Sequence, residues 1–337
     1  MNNYFILFAN CIPVKGYARS VVCDVQTNTF EFIPNELFQI VTEFKENTLQ
    51  EIIQNFGKEH ESIINEYFNY LEEKDFGFWN PTLIPELTPI SLEWQSPQRI
   101  TNALIDVKKE STLPYHKINK ELDELGCAAL ELRFSYDIRI HELDCVLSFF
   151  EKSTLRSIDL FLIYSEELTD DSLSKLFKKH SRVFNVNIAE APFSKDIFLV
   201  NKTVFINFVE EKIEPSVCCG IVNPTYFRIN IDHFTESVSK NNCLNRKVSI
   251  DGDGHIKNCP SLPVSYGNIN EMTLNEAIEK KGFKDTWSIT KDQIETCKDC
   301  EFRYICTDCR AFTEDTSTIY AKPLKCNYNP YTTKWND

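Results

Sequence analysis

The first 80 residues alternate short apolar runs with polar turns and then change to a helical spacing. Segments 4–9, 20–25 and 29–33 have the composition of β-strands and are separated by turn sequences. Pro34 opens a helical stretch, and apolar residues then recur three or four positions apart within 49–56 and within 63–71. A small sheet with three helices predicts a winged-helix-like α+β domain over residues 1–80.

A second pattern follows a stretch with four prolines between residues 81 and 97, which we interpret as a linker. Apolar strand candidates at 100–107, 128–134, 158–164, 183–188 and 204–209 alternate with helical segments. Thr169 is a candidate N-cap for one of these helices, and Gly126 is a candidate stop for another. Such alternation is typical of a parallel sheet covered by helices. Residues 98–215 are too few for a complete eightfold barrel, so the pattern predicts a partial (β/α) barrel or an open sheet.

Charge and hydropathy exclude two broad classes of protein. The formal net charge of −14 argues against a protein that coats nucleic acid, because phosphate binding needs clustered Lys and Arg. No apolar run reaches the roughly 18 residues of a membrane helix. The N-terminal apolar run lacks the basic start of a secretion signal and is predicted to be a strand. We therefore expect a cytoplasmic protein without a nucleic-acid or membrane partner, in a compartment where thiols stay reduced.

Thirteen cysteines are unusual in a reducing compartment, and their distribution indicates their role. Four are scattered through the first half of the chain, where we expect them to fill apolar cores: Cys11, Cys23, Cys127 and Cys145. The other nine lie between Cys218 and Cys326, in a stretch with weak apolar periodicity. A segment with few core residues and many cysteines is usually organised by metal.

The strongest motif is CxxCx₅CxxC, formed by Cys297, Cys300, Cys306 and Cys309. A CxxC turn lets two thiolates converge while backbone amides point at the sulfurs. Upstream, Cys243 and Cys259 flank a predicted hairpin of residues 248–250 and 255–257, and Cys326 lies downstream. Spacing alone leaves zinc open as an alternative, because four thiolates also suit a tetrahedral zinc ion.

Two further features near these cysteines are candidate sites. The loop Asp251–His255 has acidic residues like those of a calcium loop, but it lacks the closing Glu, so we interpret it as a tight turn. Cys218 and Cys219 are equally compatible with ligand and core roles.

The cysteine pattern from about residue 219 to residue 326 resembles the SPASM domain, an auxiliary-cluster module of many radical S-adenosylmethionine (SAM) peptide maturases. The last CxxC spacing is one residue shorter here than in that family. The segments around Cys243, Cys300 and Cys326 resemble more closely the SPASM proteins of "grasp-with-spasm" systems. The resemblance implies an iron–sulfur domain over residues 216–337.

The resemblance also implies two [4Fe–4S] clusters. Cys297, Cys300, Cys306 and Cys326 would hold one, and we name them the first cysteine group. The second cysteine group would be Cys243, Cys259, Cys309 and Cys219, with Cys218 as the alternate fourth ligand. If no fourth ligand exists, one iron has an open position.

The region before the cysteines resembles a degenerate radical-SAM partial barrel. That family carries CxxxCxxC just after its first strand, whereas residues 108–117 contain no cysteine. It also carries a Gly-Gly-Glu turn after its second strand, whereas the sequence after Phe134 reads Ser-Tyr-Asp-Ile-Arg. These two losses imply that the chain binds no SAM and does not cleave it.

The resemblance implies a role in the maturation of a ribosomal peptide, with a precursor peptide and an ATP-grasp ligase as partners. The N-terminal domain resembles the peptide-recognition elements of such maturases, which add a peptide to a sheet edge; a packing subdomain is the alternative. Whether the chain is itself an enzyme stays open. Two other functions also remain: a redox enzyme that uses an open auxiliary cluster, and a zinc-binding interaction protein.

Overall fold

Short apolar strands and three helices fold together in the N-terminal part of the computed structural model, which describes residues 3–212 and 219–336. The strands are β1 (Tyr4–Leu7), β2 (Cys11–Val14), β3 (Ser20–Asp24), β4 (Thr29–Ile33) and β5 (Gly77–Asn80). Strands β2, β3 and β4 form one antiparallel sheet, and β1 pairs with β5 in another. Strands β1, β3 and β4 coincide with the predicted segments 4–9, 20–25 and 29–33, whereas β2 was not predicted.

The three helices close an apolar core over these strands. They are α1 (Asn35–Glu43), α2 (Leu49–Phe56) and α3 (Glu61–Glu73). Thr48 is the N-cap of α2 and forms a capping box. Its side-chain oxygen accepts from the Glu51 N–H, and the Glu51 carboxylate accepts from the Thr48 N–H. The buried faces of these helices, including Phe68 of α3, pack with Phe5 of β1 in one apolar cluster. The predicted α+β arrangement is therefore present, and its winged-helix-like classification stays a prediction.

The central part of the chain forms one large, mostly parallel sheet. Its strands are β6 (Asn102–Val107), β7 (Ala129–Phe134), β8 (Ser157–Ile163), β9 (Val183–Ala189), β10 (Lys195–Leu199), β11 (Val204–Phe208), β12 (Lys247–Ile250) and β13 (Ile256–Lys257). The spatial order is β10-β11-β9-β8-β7-β6-β12-β13. Only β10 and β13, at the two edges, run antiparallel to their neighbours. The predicted parallel sheet is confirmed, whereas β10 was not predicted.

Three helices alternate with these strands: α4 (Tyr115–Glu124), α5 (Ile140–Ser148) and α6 (Asp170–Lys179). The Thr169 side chain accepts from the N–H of Ser172, so its predicted N-cap role is confirmed. Gly126, at a φ of +72°, follows the end of α4, where a residue without Cβ adopts the left-handed conformation at low cost. Apolar side chains from both layers form one continuous core.

The cysteine-rich part contributes little regular structure. It contains α7 (Ile231–Ser239), α8 (Leu274–Ile278), β14 (Tyr328–Asn329) and β15 (Lys334–Trp335). Strands β12 and β13 are the hairpin predicted between Cys243 and Cys259, with Ile250 opposite Ile256. That hairpin adds to the large sheet, because β12 pairs in parallel with β6.

The chain divides into two compact units, and both are discontinuous in sequence. The first unit comprises Met1–Trp94, Gly220–Asn242 and Ser288–Asp337, and the second comprises Gln95–Cys219 and Cys243–Trp287. The four predicted domains (1–80, 81–97, 98–215 and 216–337) stay a prediction, and the compact units do not follow their boundaries. No helix within the described residues is long and apolar enough to cross a bilayer.

Candidate metal centre

The segment that carries Cys297, Cys300 and Cys306 folds as two successive tight turns. The N–H of Cys300 donates to the carbonyl of Cys297 over 3.0 Å, and the N–H of Cys306 donates to that of Phe302 over 3.0 Å. The Phe302 N–H also donates to the Cys300 sulfur, as expected for a metal-binding thiolate. Thr296 has a φ of +66°, uncommon for a β-branched residue, and it turns the chain immediately before Cys297.

All four members of the first cysteine group lie in the first unit. Cys297 and Cys306 are buried, and Cys300 and Cys326 are half-buried. Burial raises the pKa of the Cys297 thiol to about 12; the Lys291 ammonium opposes this rise, and the nearby Cys306 and Cys326 add to it. Burial likewise raises the pKa of Cys300, with Cys306 and Cys297 contributing. The fold therefore buries these thiols close enough together for the charge of one to act on the others.

A buried lysine lies against this group. Only 4% of Lys291 is exposed, and its Nζ donates to Cys306 Sγ over 3.1 Å and to the carbonyl of Thr307 over 2.9 Å. Burial opposes the charge on Lys291, yet Cys306, Cys297 and Asp308 together raise its pKa well above the usual range. Lys291 was not predicted to lie here, because a lysine in a polar stretch carries no sequence signal of burial.

The loop after Cys306 is fixed by a second set of buried polar groups. Asp308 accepts from Arg310 Nη2 over 2.7 Å and from Asn241 Nδ2 over 2.5 Å. Asn242 Nδ2 donates to the Cys306 carbonyl over 2.9 Å, and its Oδ1 accepts from the Asp308 N–H over 3.0 Å. These bonds hold the peptide groups on both sides of the loop and so fix the direction of the Cys306 side chain.

The N-terminal sheet also supports the cysteine turn. Glu301, which is 1% exposed, accepts from Arg19 over 2.8 Å and from the Tyr328 hydroxyl over 2.5 Å. Arg19 in turn lies 3.5 Å from the centre of the Phe32 ring. Phe302, next to Glu301, packs with its ring against Phe30 and Phe32 of β4. The turn is therefore anchored by residues almost 300 positions earlier in the sequence.

The second cysteine group is divided between the two units. Cys219, Cys243 and Cys259 lie in the second unit, where all three act on the ammonium of Lys247 and keep its pKa far above the usual range against the effect of burial. Lys247 Nζ lies 3.6 Å from Cys243 Sγ. Cys309 lies in the first unit. The backbone of Gly220 packs closely against it, because a Cβ added to this glycine would lie only 2.8 Å from the Cys309 sulfur. The alternate ligand Cys218 lies outside the described residues.

The spacing of the sulfurs bears on which metal these thiols fit. Zinc binds each thiolate at about 2.3 Å, which places the sulfurs of a tetrahedral site roughly 4 Å apart. Within residues 3–212 and 219–336, three or more Cys, His, Asp or Glu ligand atoms come within 4.8 Å of one another only at Asp251, Asp253 and His255. In a [4Fe–4S] cluster each thiolate binds a different iron, so the sulfurs are farther apart. No three cysteine sulfurs of the described residues lie within 4.8 Å of one another, and two of these sulfurs contact a lysine ammonium, which fits an anionic iron–sulfur cluster better than one zinc ion.

The group of Asp251, Asp253 and His255 lies on the turn between β12 and β13. Asp251 accepts from the N–H groups of Asp253 and His255 and is paired with Lys257 over 3.2 Å. Asp253 is paired with Lys108 over 2.7 Å. The carboxylates are thus occupied by the turn itself, in keeping with its interpretation as a tight turn.

Three of the four scattered cysteines occupy the cores predicted for them. Cys11, Cys23 and Cys127 are buried, and burial raises the pKa of each thiol to about 12. The prediction is wrong for Cys145, which is exposed on α5. The helix pattern places Leu143 and Leu147 inward, and Cys145 lies between them on the outer face.

The polar face of the large sheet carries a charged pair near the second cysteine group. Arg133 on β7 donates to Asp106 on β6 over 2.7 Å, and the negative charge of Cys219 acts on the same guanidinium. Glu131 lies two positions earlier on β7, and burial raises its pKa.

After β6, where the radical-SAM pattern would place cysteines, Ser111 donates to the Gly252 carbonyl over 2.6 Å.

Part of this chain is similar to a known domain family, and the fold is similar to solved structures. Residues 242–301 match the model of the SPASM iron–sulfur cluster-binding domain. Two structures of Streptococcus suis SuiB align with the chain at 10% identity and a TM-score of 0.33. The SAM-bound structure is covered to 95% and the one bound to precursor peptide SuiA to 94%, with 92% of this chain aligned in each case. No curated protein sequence matches the chain significantly.

Proposed function

We propose that this chain is a SPASM-type iron–sulfur protein of ribosomal peptide maturation, which binds a precursor peptide and acts with an ATP-grasp ligase without cleaving SAM. The proposal rests on one observation above all, the buried Lys291 ammonium 3.1 Å from Cys306 Sγ among gathered thiols. A buried cation without an anion costs several kcal/mol. Metal-bound thiolates supply that anion, whereas neutral thiols do not.

The match of residues 242–301 to an iron–sulfur domain supports the same assignment. Cys243, Cys259, Cys297 and Cys300 lie within the matched segment, whereas Cys306, Cys309 and Cys326 lie beyond it. The first cysteine group would hold one [4Fe–4S] cluster, and the second group would hold another. When bound, the clusters would supply folding free energy, a negative charge and the capacity for one-electron transfer.

An apolar cavity of about 630 Å³ in the first unit supports the peptide partner. Its walls are β1, the end of α1 and the proline-rich segment 83–92. Leu83, Leu87 and Ile90 are each more than a third exposed there, and the Ile90 N–H donates to the Ala9 carbonyl over 3.3 Å. A groove of this size and character suits apolar side chains of a peptide. The ligase partnership and the grasp-with-spasm classification rest on the sequence resemblance alone.

The test is anaerobic purification of the full chain, with iron, zinc and acid-labile sulfide quantified and EPR spectra recorded after reduction. We expect about eight irons and eight sulfides per chain, because each [4Fe–4S] cluster contains four of each. Cys306→Ala should lose about half of both, whereas the exposed Cys145→Ala should keep the wild-type content. Zinc that persists while iron and sulfide never incorporate would support the interaction-protein alternative instead.

A redox enzyme is the second candidate. Three predicted ligands, Cys219, Cys243 and Cys259, act on the charge of Lys247 in the second unit, and a [4Fe–4S] cluster held by three thiolates would leave one of its irons with an open position. A change in the EPR spectrum on adding the precursor peptide to wild type, absent in Cys243→Ala, would favour that role.

A further inference from the structure

Lys291 places a full positive charge against one member of the first cysteine group. Resting on the proposed function, we infer that Lys291 sets the charge balance, and with it the reduction potential, of the centre held by Cys297, Cys300, Cys306 and Cys326. Lys291 is a positioning and charge-compensating residue in this role, since it contacts a ligand sulfur and not a substrate.

The other buried charges near Lys291 pair with each other, so the thiolates remain to balance the charge of its ammonium. Asp308 is a buried carboxylate whose charge acts on Lys291, and Arg310 Nη2 donates to it over 2.7 Å with both side chains 3% or less exposed. Asn241 also donates to Asp308. The direct contacts of the Lys291 Nζ are the Thr307 carbonyl, which is neutral, and Cys306 Sγ. Cys306 as a thiolate is therefore the partner that balances this charge.

A cluster with four thiolates is already negative and gains one more negative charge when it takes up one electron. No bond is formed or broken and no proton is needed; the electron comes from a one-electron donor. A fixed cation favours the more negative form, and it does so more strongly where burial weakens screening by water. Lys291 should therefore make the centre easier to reduce.

A similar contact between a lysine ammonium and a cysteine sulfur occurs in the second unit. Lys247 lies 3.6 Å from Cys243 Sγ, and Cys243, Cys259 and Cys219 all act on its ammonium. Lys291 precedes Cys306 by 15 residues, whereas Lys247 follows Cys243 by 4, so the two contacts do not arise from a common local motif. Two separate segments of the chain thus each bring one lysine ammonium to a cysteine sulfur: the buried Lys291 to Cys306 and the half-buried Lys247 to Cys243.

The experiment replaces Lys291 in the full chain and measures the midpoint potential by EPR-monitored redox titration, with iron and sulfide quantified in each sample. Lys291→Met removes the charge and the hydrogen bond, Lys291→Gln keeps a donor without the charge, and Lys291→Arg keeps the charge. Lys298→Met is the matched control, because Lys298 lies between Cys297 and Cys300 but is exposed.

We expect Lys291→Met to lower the midpoint potential of one cluster signal by about 59 mV, which corresponds to a tenfold change in the equilibrium constant of a one-electron couple. Lys291→Gln should give a similar decrease, and Lys291→Arg should restore most of the wild-type value. Lys298→Met should leave the potential unchanged, since water screens the exposed charge. The same substitution at Lys247 should move the other cluster signal.

Other outcomes separate the inference from the proposed function. Clusters that assemble in Lys291→Met or Lys291→Gln at the wild-type potential would overturn the role of Lys291 and leave the iron–sulfur assignment intact. If only Lys291→Arg assembles the centre, the positive charge is required for assembly, which supports the inference. If none of the three assembles it, Lys291 acts through its shape, and the inference is overturned. Wild-type protein that binds no iron would overturn the proposed function itself.

Discussion

At the scale of single residues, Asn242 connects helix α7 with the loop that carries Cys306. Its Nδ2 lies 2.9 Å from the Cys306 carbonyl, 2.7 Å from Ser237 Oγ and 3.2 Å from His233 Nε2. The last contact requires a ring nitrogen that accepts, and so a neutral His233. Burial lowers the pKa of His233 to about 4, with Arg228 and Lys291 adding to the effect.

This environment predicts that stability falls in acid. The unfolded chain binds a proton at His233 near pH 6.5 and the folded chain only near pH 4, so stability is lost as the pH falls through this window. Because one pKa unit corresponds to about 1.4 kcal/mol, the loss attributable to His233 between pH 7 and pH 4.5 should be roughly 2 kcal/mol. The measurement is the free energy of unfolding in urea, for wild type and for His233→Gln, at both pH values. The loss between pH 7 and pH 4.5 should be larger in wild type by the contribution of His233. The control is His60→Gln, at an exposed histidine; a His233→Gln slope equal to that of wild type would contradict the prediction.

At the scale of elements, the apolar groove of the first unit is lined by segments that the sequence pattern assigned to two different regions of the chain. Strand β1 and the end of α1 belong to the predicted N-terminal domain, whereas residues 83–92 were interpreted as a linker. The linker residues instead line the cavity. Their exposed leucines are explained if a peptide covers them, because contiguous exposed apolar surface marks interaction sites.

The groove gives a prediction for the proposed precursor peptide. Burying a leucine side chain contributes about 1.5–3 kcal/mol, so Leu87→Glu should weaken peptide binding at least about tenfold. Isothermal titration calorimetry on the full chain measures the change. Ile63→Glu is the matched control, since Ile63 is 39% exposed and Leu87 is 38% exposed, and Ile63 lies on α3 outside the cavity lining. Equal affinities for both variants would remove the groove from the peptide site.

At the scale of the whole molecule, both units are assembled from separated stretches of sequence. The first unit combines the N-terminal 94 residues with two later segments, and the second unit takes in residues 243–287. A hairpin predicted to belong to the metal module extends the large sheet, with Val248 opposite Ala103 and Ile250 opposite Ile105. The cysteine-rich region is therefore built into both units and is not an appendage to either.

This organisation bears on SAM chemistry. The segment after β6 is joined to the β12–β13 turn through Lys108 and Ser111 and carries no cysteine. We expect the anaerobic, iron-loaded protein to produce no 5′-deoxyadenosine above a no-protein control when incubated with SAM and a strong reductant. Chromatographic quantification, with an active radical SAM enzyme in parallel, checks this. Product above the control would overturn the absence of SAM cleavage.

The sequence by itself determined the local elements. Strand and helix periodicity, the Thr169 cap, the β12–β13 hairpin and the turn from Cys297 to Cys300 depend on neighbours within a few residues, so the sequence pattern was enough to predict them. The parallel pairing of β12 with β6, the exposure of Cys145, the burial of Lys291 and the half-burial of Lys247 were decided only by the tertiary structure. Pairing and burial depend on which distant segments pack together, and the sequence around Lys291 does not show that the fold places Cys306 Sγ 3.1 Å from its Nζ.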